Sequence, residues 1–452
     1  MKSAQNGAAK GNALRIAAHI WDRCLFRFRI AMFTLRARQK SALLPPGEIL
    51  RLDEMERSDR QALLKLAKVH GTVFKGTIDG RFAVCILGNK LARRLLGDFR
   101  SALKPVTIDV SRLFPGEFMR GMGGTTHKHY RAILTRGLSD TDLGKFEPSM
   151  RQMIKGHLED FADSPTDPRQ RFDDARRWAA TLSEITSSML IQVVLGAEPG
   201  SKLSRDLLGV YRDLGPNGVA WNVGDRQVAA YQDLRQRLRQ TLTDAPVNGL
   251  IGMIASQEQG QGQIEETMLG NLIYMVETGR YDMRGLFRWI SKYAAENPDW
   301  VERIASAPPQ QSRTIAEAFV QEVLRLDQSE RLMREVLEDI VFEGHFIPKG
   351  TLLRVCMWEA HKAEETFDDP FEFRPERFLN EQAFGEKFSP FGLDQHHCPF
   401  SVFSIKLASL FLTELASGFE ISAEGGDPAV RGPYHWEPSL DFSVSLSRVK
   451  KA

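Results

Sequence analysis

Cysteine is scarce in this chain: Cys24, Cys85, Cys356 and Cys398 are the only four in 452 residues. That is too few for a disulfide framework and fits a reducing compartment. Charge of one sign is lacking as well. Lys and Arg total 60 against 58 Asp and Glu, a formal net charge of +2, which carries no nucleic-acid signal. The length would allow two or three ordinary domains, yet no Pro/Gly/Ser-rich linker divides the chain and no internal repeat recurs. The Gln/Gly stretch Gln257 to Gln263 is too short for a linker and reads as the loop before the next long helix.

What is present first is a basic N-terminal arm. Residues 1–44 carry nine Lys or Arg (Lys2, Lys10, Arg15, Arg23, Arg27, Arg29, Arg36, Arg38, Lys40) against one acid, Asp22. Ile20, Cys24, Phe28, Ala31 and Leu35 recur at helical spacing, so the arm is an amphipathic helix. No apolar run in it reaches the roughly 20 residues a bilayer span needs, and arginines interrupt any signal-peptide core. Three readings stay open: a helix lying on a membrane surface, an organelle transit peptide, or a helix docked on the protein's own body. The expected setting is cytoplasmic, with peripheral membrane contact through residues 1–44 as one of these options. Residues 45–452 read as a single body, mostly helical, with short strands near Thr72 to Leu87, Ile340 to Val355 and Asp441 to Leu446. Cys85, inside the apolar run RFAVCILG, is expected in the packed core.

The segment Pro390 to Phe400, PFGLDQHHCPF, runs into an apolar helix from Ser401 to Ala416. A turn leads to Cys398, and Pro399 suits the first helical position. A helix N-terminus lowers the cost of negative charge on the sulfur, so Cys398 is expected as a thiolate, presented as a sulfur ligand is presented to a haem iron. This segment resembles the cysteine-ligand loop of the cytochromes P450. Phe388, Pro390, Phe391, Gly392, Cys398 and Pro399 match the family pattern; Asp394 replaces a usual Gly, His396 the usual Arg, and Phe400 the usual Gly after the cysteine.

Other segments match that family in its order. Glu322-Val-Leu-Arg325 is an ExxR with both charged groups on one helix face, and Arg377 in FEFRPERF (371–378) is expected to join them in a buried network. His127 and Arg131, at i and i+4, are similar to the family's HxxxR. The resemblance implies the cytochrome P450 fold and haem b ligated by Cys398. It places Phe391 among the cofactor-binding residues and implies that His127, Arg131, Arg334 and His396 hold the haem carboxylates.

The long helix from about Glu265 to Glu296 departs furthest. The family carries there a (Ala/Gly)-Gly-x-(Asp/Glu)-Thr signature, whose Gly relaxes the helix while acid and alcohol relay protons for oxygen activation. This chain reads Thr278-Gly279-Arg280-Tyr281-Asp282-Met283. Gly279 matches, Tyr281 stands for the acid and Asp282 for the threonine. Asp282 is expected to carry the proton, Tyr281 to hydrogen-bond the substrate, and Arg280 to meet an acidic substrate. The alternative for Arg280 and Arg284 is a stripe away from the haem, with Glu277 pairing Arg280.

The leading expectation is therefore a haem-thiolate monooxygenase acting on an apolar small molecule with electrons from a ferredoxin or flavoprotein reductase. A second is an oxygen-independent peroxygenase, dehydratase or isomerase on the same scaffold. A third is a degenerate P450-like protein serving as a binding or recruitment module. A zinc hydrolase using His396, His397 and Cys398 is the reading outside the family, disfavoured because adjacent side chains diverge.

Overall fold

Asp79-Gly80 sets the first element of structure. Both residues have positive φ (49° and 72°), the backbone of a tight two-residue hairpin turn. They join β1 (Val73–Ile78) to β2 (Arg81–Leu87), antiparallel with Val73 opposite Ile86. β3 (Leu103–Pro105), β4 (Leu332–Val336) and β7 (Leu352–Cys356) complete a five-stranded sheet in the order β1-β2-β7-β4-β3. β5 (Ile340–Phe342) and β6 (His345–Ile347) form a separate hairpin. Cys85 lies fully buried in β2.

The computed structural model describes residues 26–106, 109–113, 118–164, 171–215, 223–244, 248–258, 264–328, 332–380, 385–432 and 435–449. Most of the Gln257–Gln263 loop lies outside them, as do Ile20 and Cys24. Contacts divide the chain into two units. The smaller holds residues up to Leu87, Arg94–Lys104 and Met333–Val355; the larger holds Gly88–Arg93, Pro105–Leu332 and Cys356 onward.

In the smaller unit a helix over residues 26–39 docks on the sheet. The Phe33 ring lies 5.5 Å from Phe82, Arg36 pairs with Asp339, and Ala37 and Ala42 bury against Phe346. The stripe expected from spacing takes the other side: Phe28 and Leu35 are exposed, along with Met32. A second link is a buried bidentate pair, Arg354 Nη1 and Nη2 donating to Glu56 at 2.5 and 2.6 Å.

The larger unit is a helical body around the central helix Glu266–Glu296, 31 residues long. Its apolar face packs on Arg171–Leu195, whose Phe172–Leu195 stretch is apolar enough to span a membrane but 72% buried in the fold, as a core helix is. Phe287 of the central helix stacks on Phe411 of the helix Ser401–Gly418 at 4.3 Å. β8 (Phe419–Glu424) pairs antiparallel with β11 (Ser443–Arg448), and β9 (Val430–Arg431) with β10 (Trp436–Glu437). The elements match a mostly helical fold with small sheets.

Candidate haem-thiolate site

The ExxR residues lie at the end of the helix Pro309–Val323 and in the helical turn that follows. Arg325 and Glu322 are both fully buried and meet through two bonds, Nε to Oε2 at 2.7 Å and Nη2 to Oε1 at 2.8 Å. Arg325 Nη1 donates to the carbonyls of His361 and Pro370, and Nη2 to that of Glu372. All five guanidinium N–H groups thus have acceptors. Arg377 Nε reaches Glu322 Oε1 at 3.3 Å, and the Arg374 N–H donates to the same oxygen. The structure brings Glu322, Arg325 and Arg377 together around one carboxylate.

His361 carries this network to the cysteine loop. Its imidazole is fully buried, which with the neighbouring Lys362 and Arg325 charges pushes its pKa well below the ordinary value. The neutral ring accepts the Ser389 N–H at Nε2, 3.0 Å away, immediately before Pro390-Phe391.

The loop closes on a bond from the Cys398 N–H to the Phe391 carbonyl, 2.9 Å. Two of its departures from the family pattern have local explanations. Asp394 has φ +65°, a conformation that favours Gly but that Asp tolerates when its side chain bonds locally; here Oδ1 accepts the His396 N–H at 2.7 Å. Phe400 has φ −91°, so no glycine is required, and its buried ring stacks on Phe403 at 5.0 Å.

One expectation is corrected here. The helix begins at Ser401 with Phe400 as its cap, so Pro399 lies outside it and Cys398 is three residues short of its first turn. Desolvation of the sulfur pushes the Cys398 thiol up to about 11; the Phe400 N–H opposes this, Asp282 adds to it, and Arg131 and Arg120 oppose it. The helix N-terminus does not by itself make a thiolate. A bound metal ion would displace the proton.

Two arginines act by charge on the sulfur, and two histidines pack together beside the same loop. The helix Gly124–Asp140 presents His127 and Arg131 one turn apart. His127 is buried, with its ring 4.4 Å from that of His396, and burial followed by the Arg131 charge lowers its pKa. Arg131 Nη1 donates to the His397 carbonyl at 2.7 Å, and Arg120, which no sequence motif marks, lies close enough to act on Cys398 by charge. A single soft sulfur ligand beside Arg and His donors fits a cysteine-ligated haem with two carboxylates. Arg334 belongs to the smaller unit, buried on β4 with Nη1 donating to the Met333 carbonyl. Among the described residues no three His, Cys, Asp or Glu side chains are placed to hold a metal ion. The His396 ring packs on His127 and the His397 ring faces Phe391 instead, which leaves the zinc reading without geometric support.

The central helix distributes its polar residues differently from expectation. It is α-helical throughout, so Gly279 does not relax it; a Cβ at Gly279 would meet Leu190 at 3.1 Å, which makes it a packing glycine. Arg280 is not available to an acidic substrate. It pairs with buried Glu277 (Nε to Oε2, 2.7 Å), bonds the Gly215 carbonyl, and lies over the Tyr211 ring. Tyr281 donates its hydroxyl to Glu437 Oε1 at 2.7 Å rather than to a substrate. Arg288 donates to Glu437 Oε2 at 2.8 Å and to the carbonyls of Pro438 and Ser439. Burial alone would raise Glu437, but His435, the Tyr281 hydroxyl, Arg288 and Arg284 more than offset it and hold the carboxyl below its ordinary range. Asp282 keeps a side chain that is 56% exposed, near enough to Cys398 to act on its charge. Of the four candidates on this helix, Asp282 is the one whose charge reaches Cys398.

A cysteine sulfur beside a long helix in a mostly helical body has the layout of a haem-thiolate site. Residues 304–432 match the family model described as Cytochrome P450. Cytochrome P450 CYP82D47 of Panax ginseng is 40% identical over 110 residues, 23% of this chain and 30% of that protein. Abscisic acid 8'-hydroxylase 1 of Arabidopsis thaliana is 22% identical over 412 residues, 84% of this chain and 85% of that protein. A retinoic acid-bound cyanobacterial P450 structure superposes with a TM-score of 0.71 at 19% identity, covering 90% of this chain and all of that one. A zebrafish P450 with progesterone gives 0.67 at 18% identity, covering 86% and 99%. The chain is therefore similar to the cytochromes P450: residues 304–432 match the family model and the fold is shared over most of the length.

Proposed function

We propose that the protein is a haem-thiolate monooxygenase that hydroxylates an apolar small molecule, with Cys398 as axial ligand. The observation that carries this reading is the cysteine loop itself: the Cys398 N–H closes on the Phe391 carbonyl at 2.9 Å, and Arg131 Nη1 holds the neighbouring His397 carbonyl at 2.7 Å. When bound, the haem supplies the redox chemistry by which a substrate C–H, dioxygen, two electrons and two protons become an alcohol and water. His127, Arg131, Arg120 and His396 hold its carboxylates. Asp282 delivers protons at its carboxyl. The electrons come from a protein donor of the ferredoxin or flavoprotein class.

Abscisic acid 8'-hydroxylase 1 and (+)-menthofuran synthase of Mentha piperita, 25% identical over 293 residues, name small organic molecules in their own titles, the first of them an acid, and support a small-molecule substrate. The outer face of helix 26–39 supports peripheral contact with an anionic membrane surface. Phe28, Met32 and Leu35 are exposed there at i, i+4 and i+7, interleaved with Arg27, Arg29 and Arg38. The test is turnover of the purified, haem-loaded protein with and without a reductase and dioxygen. Product that depends on both supports monooxygenation. Product that persists without either establishes the peroxygenase or isomerase reading instead.

A further inference from the structure

The β9–β10 segment brings a histidine onto the central helix beside Asp282. The His435 ring lies against Gly285, where a Cβ would sit 2.2 Å from His435 Cε1, so only glycine admits the ring at this depth. The ring is 4.9 Å from that of Tyr281, and the side chain is 2% exposed. Its Nδ1 is 3.2 Å from the Trp436 carbonyl oxygen. A carbonyl can only accept, so Nδ1 carries a proton and Nε2 is the nitrogen left to meet another group. Nε2 is buried without a hydrogen-bond partner, and the nearest acid is Asp282, Oδ1 at 3.7 Å. A small rotation of either side chain makes a hydrogen bond. The backbone pins the histidine from behind: Gly432 N–H donates to the His435 carbonyl at 2.9 Å, and Trp289 Nε1 holds the Trp436 carbonyl at 2.9 Å.

We propose that His435 is the positioning residue of this site, joined to Asp282 in a proton-sharing pair that takes over the work an acid and an adjacent threonine share elsewhere in the family. The proposal rests on the monooxygenase reading for its role and on geometry alone for the pair. The pair holds one proton: His435 passes it from Nε2 to Asp282 and is left neutral, protonated at Nδ1, and Asp282, the half-exposed member, gives it to the reaction and becomes a carboxylate. Solvent reaching Asp282 then restores the pair. His435, being buried, exchanges protons only through Asp282. The titratable groups against the ring are Tyr281 and Asp282 of the central helix; Glu437 of its own segment interacts with it by charge, and Arg284 and Arg288 act on Glu437. Tyr281 and Arg288 are bonded to Glu437, and Asp282 is the acid whose carboxylate approaches Nε2, at 3.7 Å.

Two measurements on the haem-loaded protein test this. The first is side-chain nitrogen NMR of the reduced carbon monoxide complex, with the His435 signals assigned by their loss in His435→Gln. Asp282→Asn should move the Nε2 resonance while leaving Nδ1 protonated; an unmoved Nε2 overturns the pair, whatever reaction the protein catalyses. The second is coupling efficiency. Asp282→Asn and His435→Gln should each raise the share of reducing equivalents lost as hydrogen peroxide about tenfold, with KM unchanged and kcat reduced, and the double variant should be no worse than either single one. Additive losses, or a His435→Gln effect confined to KM, overturn the shared role. If the Nε2 shift is present but no dioxygen-dependent product forms, the pair stands and the monooxygenase reading fails.

Discussion

Arg325 gives all five of its N–H groups to acceptors, and Glu322 receives from both Arg325 and Arg377 with no exposure to water. Removing the carboxylate leaves two buried guanidinium groups without their counter-charge. Glu322→Ala should therefore lower stability by about 3–5 kcal/mol, read as the shift in a urea or thermal unfolding midpoint; an unchanged midpoint would show that the network carries no weight. Arg131 poses a different question, because its cation bonds the His397 carbonyl and sits within range of Cys398. Arg131→Ala should release haem faster than exposed Lys68→Ala, measured by transfer to an apo-globin acceptor, and equal release in both would remove Arg131 from the haem site. Glu322 and Arg325 were legible because they pair at i and i+3 on one helix, whereas Arg377 and Arg131, whose partners lie far along the chain, were legible only through the resemblance of their motifs. Arg120 and His361 were not. Arg120 acts across space on a cysteine far along the chain, and His361 acts through a backbone N–H that no side-chain pattern records.

At the scale of elements, the cysteine loop was legible and its electrostatics were not. The spacing of Phe391, Gly392 and Cys398 marks the turn, but the helix start at Ser401 leaves the sulfur short of the dipole, and desolvation wins over it. The central helix shows the reverse: its length was plain from its pattern, while the use of each residue was set by strands about 150 positions later. Tyr281 and Arg288 answer to Glu437, and Gly285 to His435. A heptad or motif register cannot see such partners. Gly285→Ala tests this packing. Its Cβ would overlap the His435 ring, so the β9–β10 segment should shift outward at a cost of about 1–3 kcal/mol. A crystal structure of the variant with His435 unmoved would mean that the contact is looser than its 2.2 Å approach implies.

For the molecule as a whole, the Glu437 cluster ties the last strands to the central helix and should make stability depend on pH. Glu437 is held below the ordinary carboxylate range in the folded state, so its contribution is present at neutral pH and is lost as pH falls through the folded value. The stability gap between the native protein and Glu437→Gln should be full at pH 7 and narrow only below about pH 4. A gap that does not change across that window would contradict the assignment. The mostly helical architecture was readable from periodicity, whereas the docking face of helix 26–39 was not: the sheet takes Phe33 and Ala37 and leaves the more regular Phe28 and Leu35 stripe outside. The central claim concerns Cys398 and one absorption spectrum addresses it. The reduced protein under carbon monoxide should show the band of a thiolate-ligated haem, and Cys398→Ala should lose that band while remaining folded. A thiolate-type band that survives in Cys398→Ala, or a native protein that takes up no haem, would contradict the account.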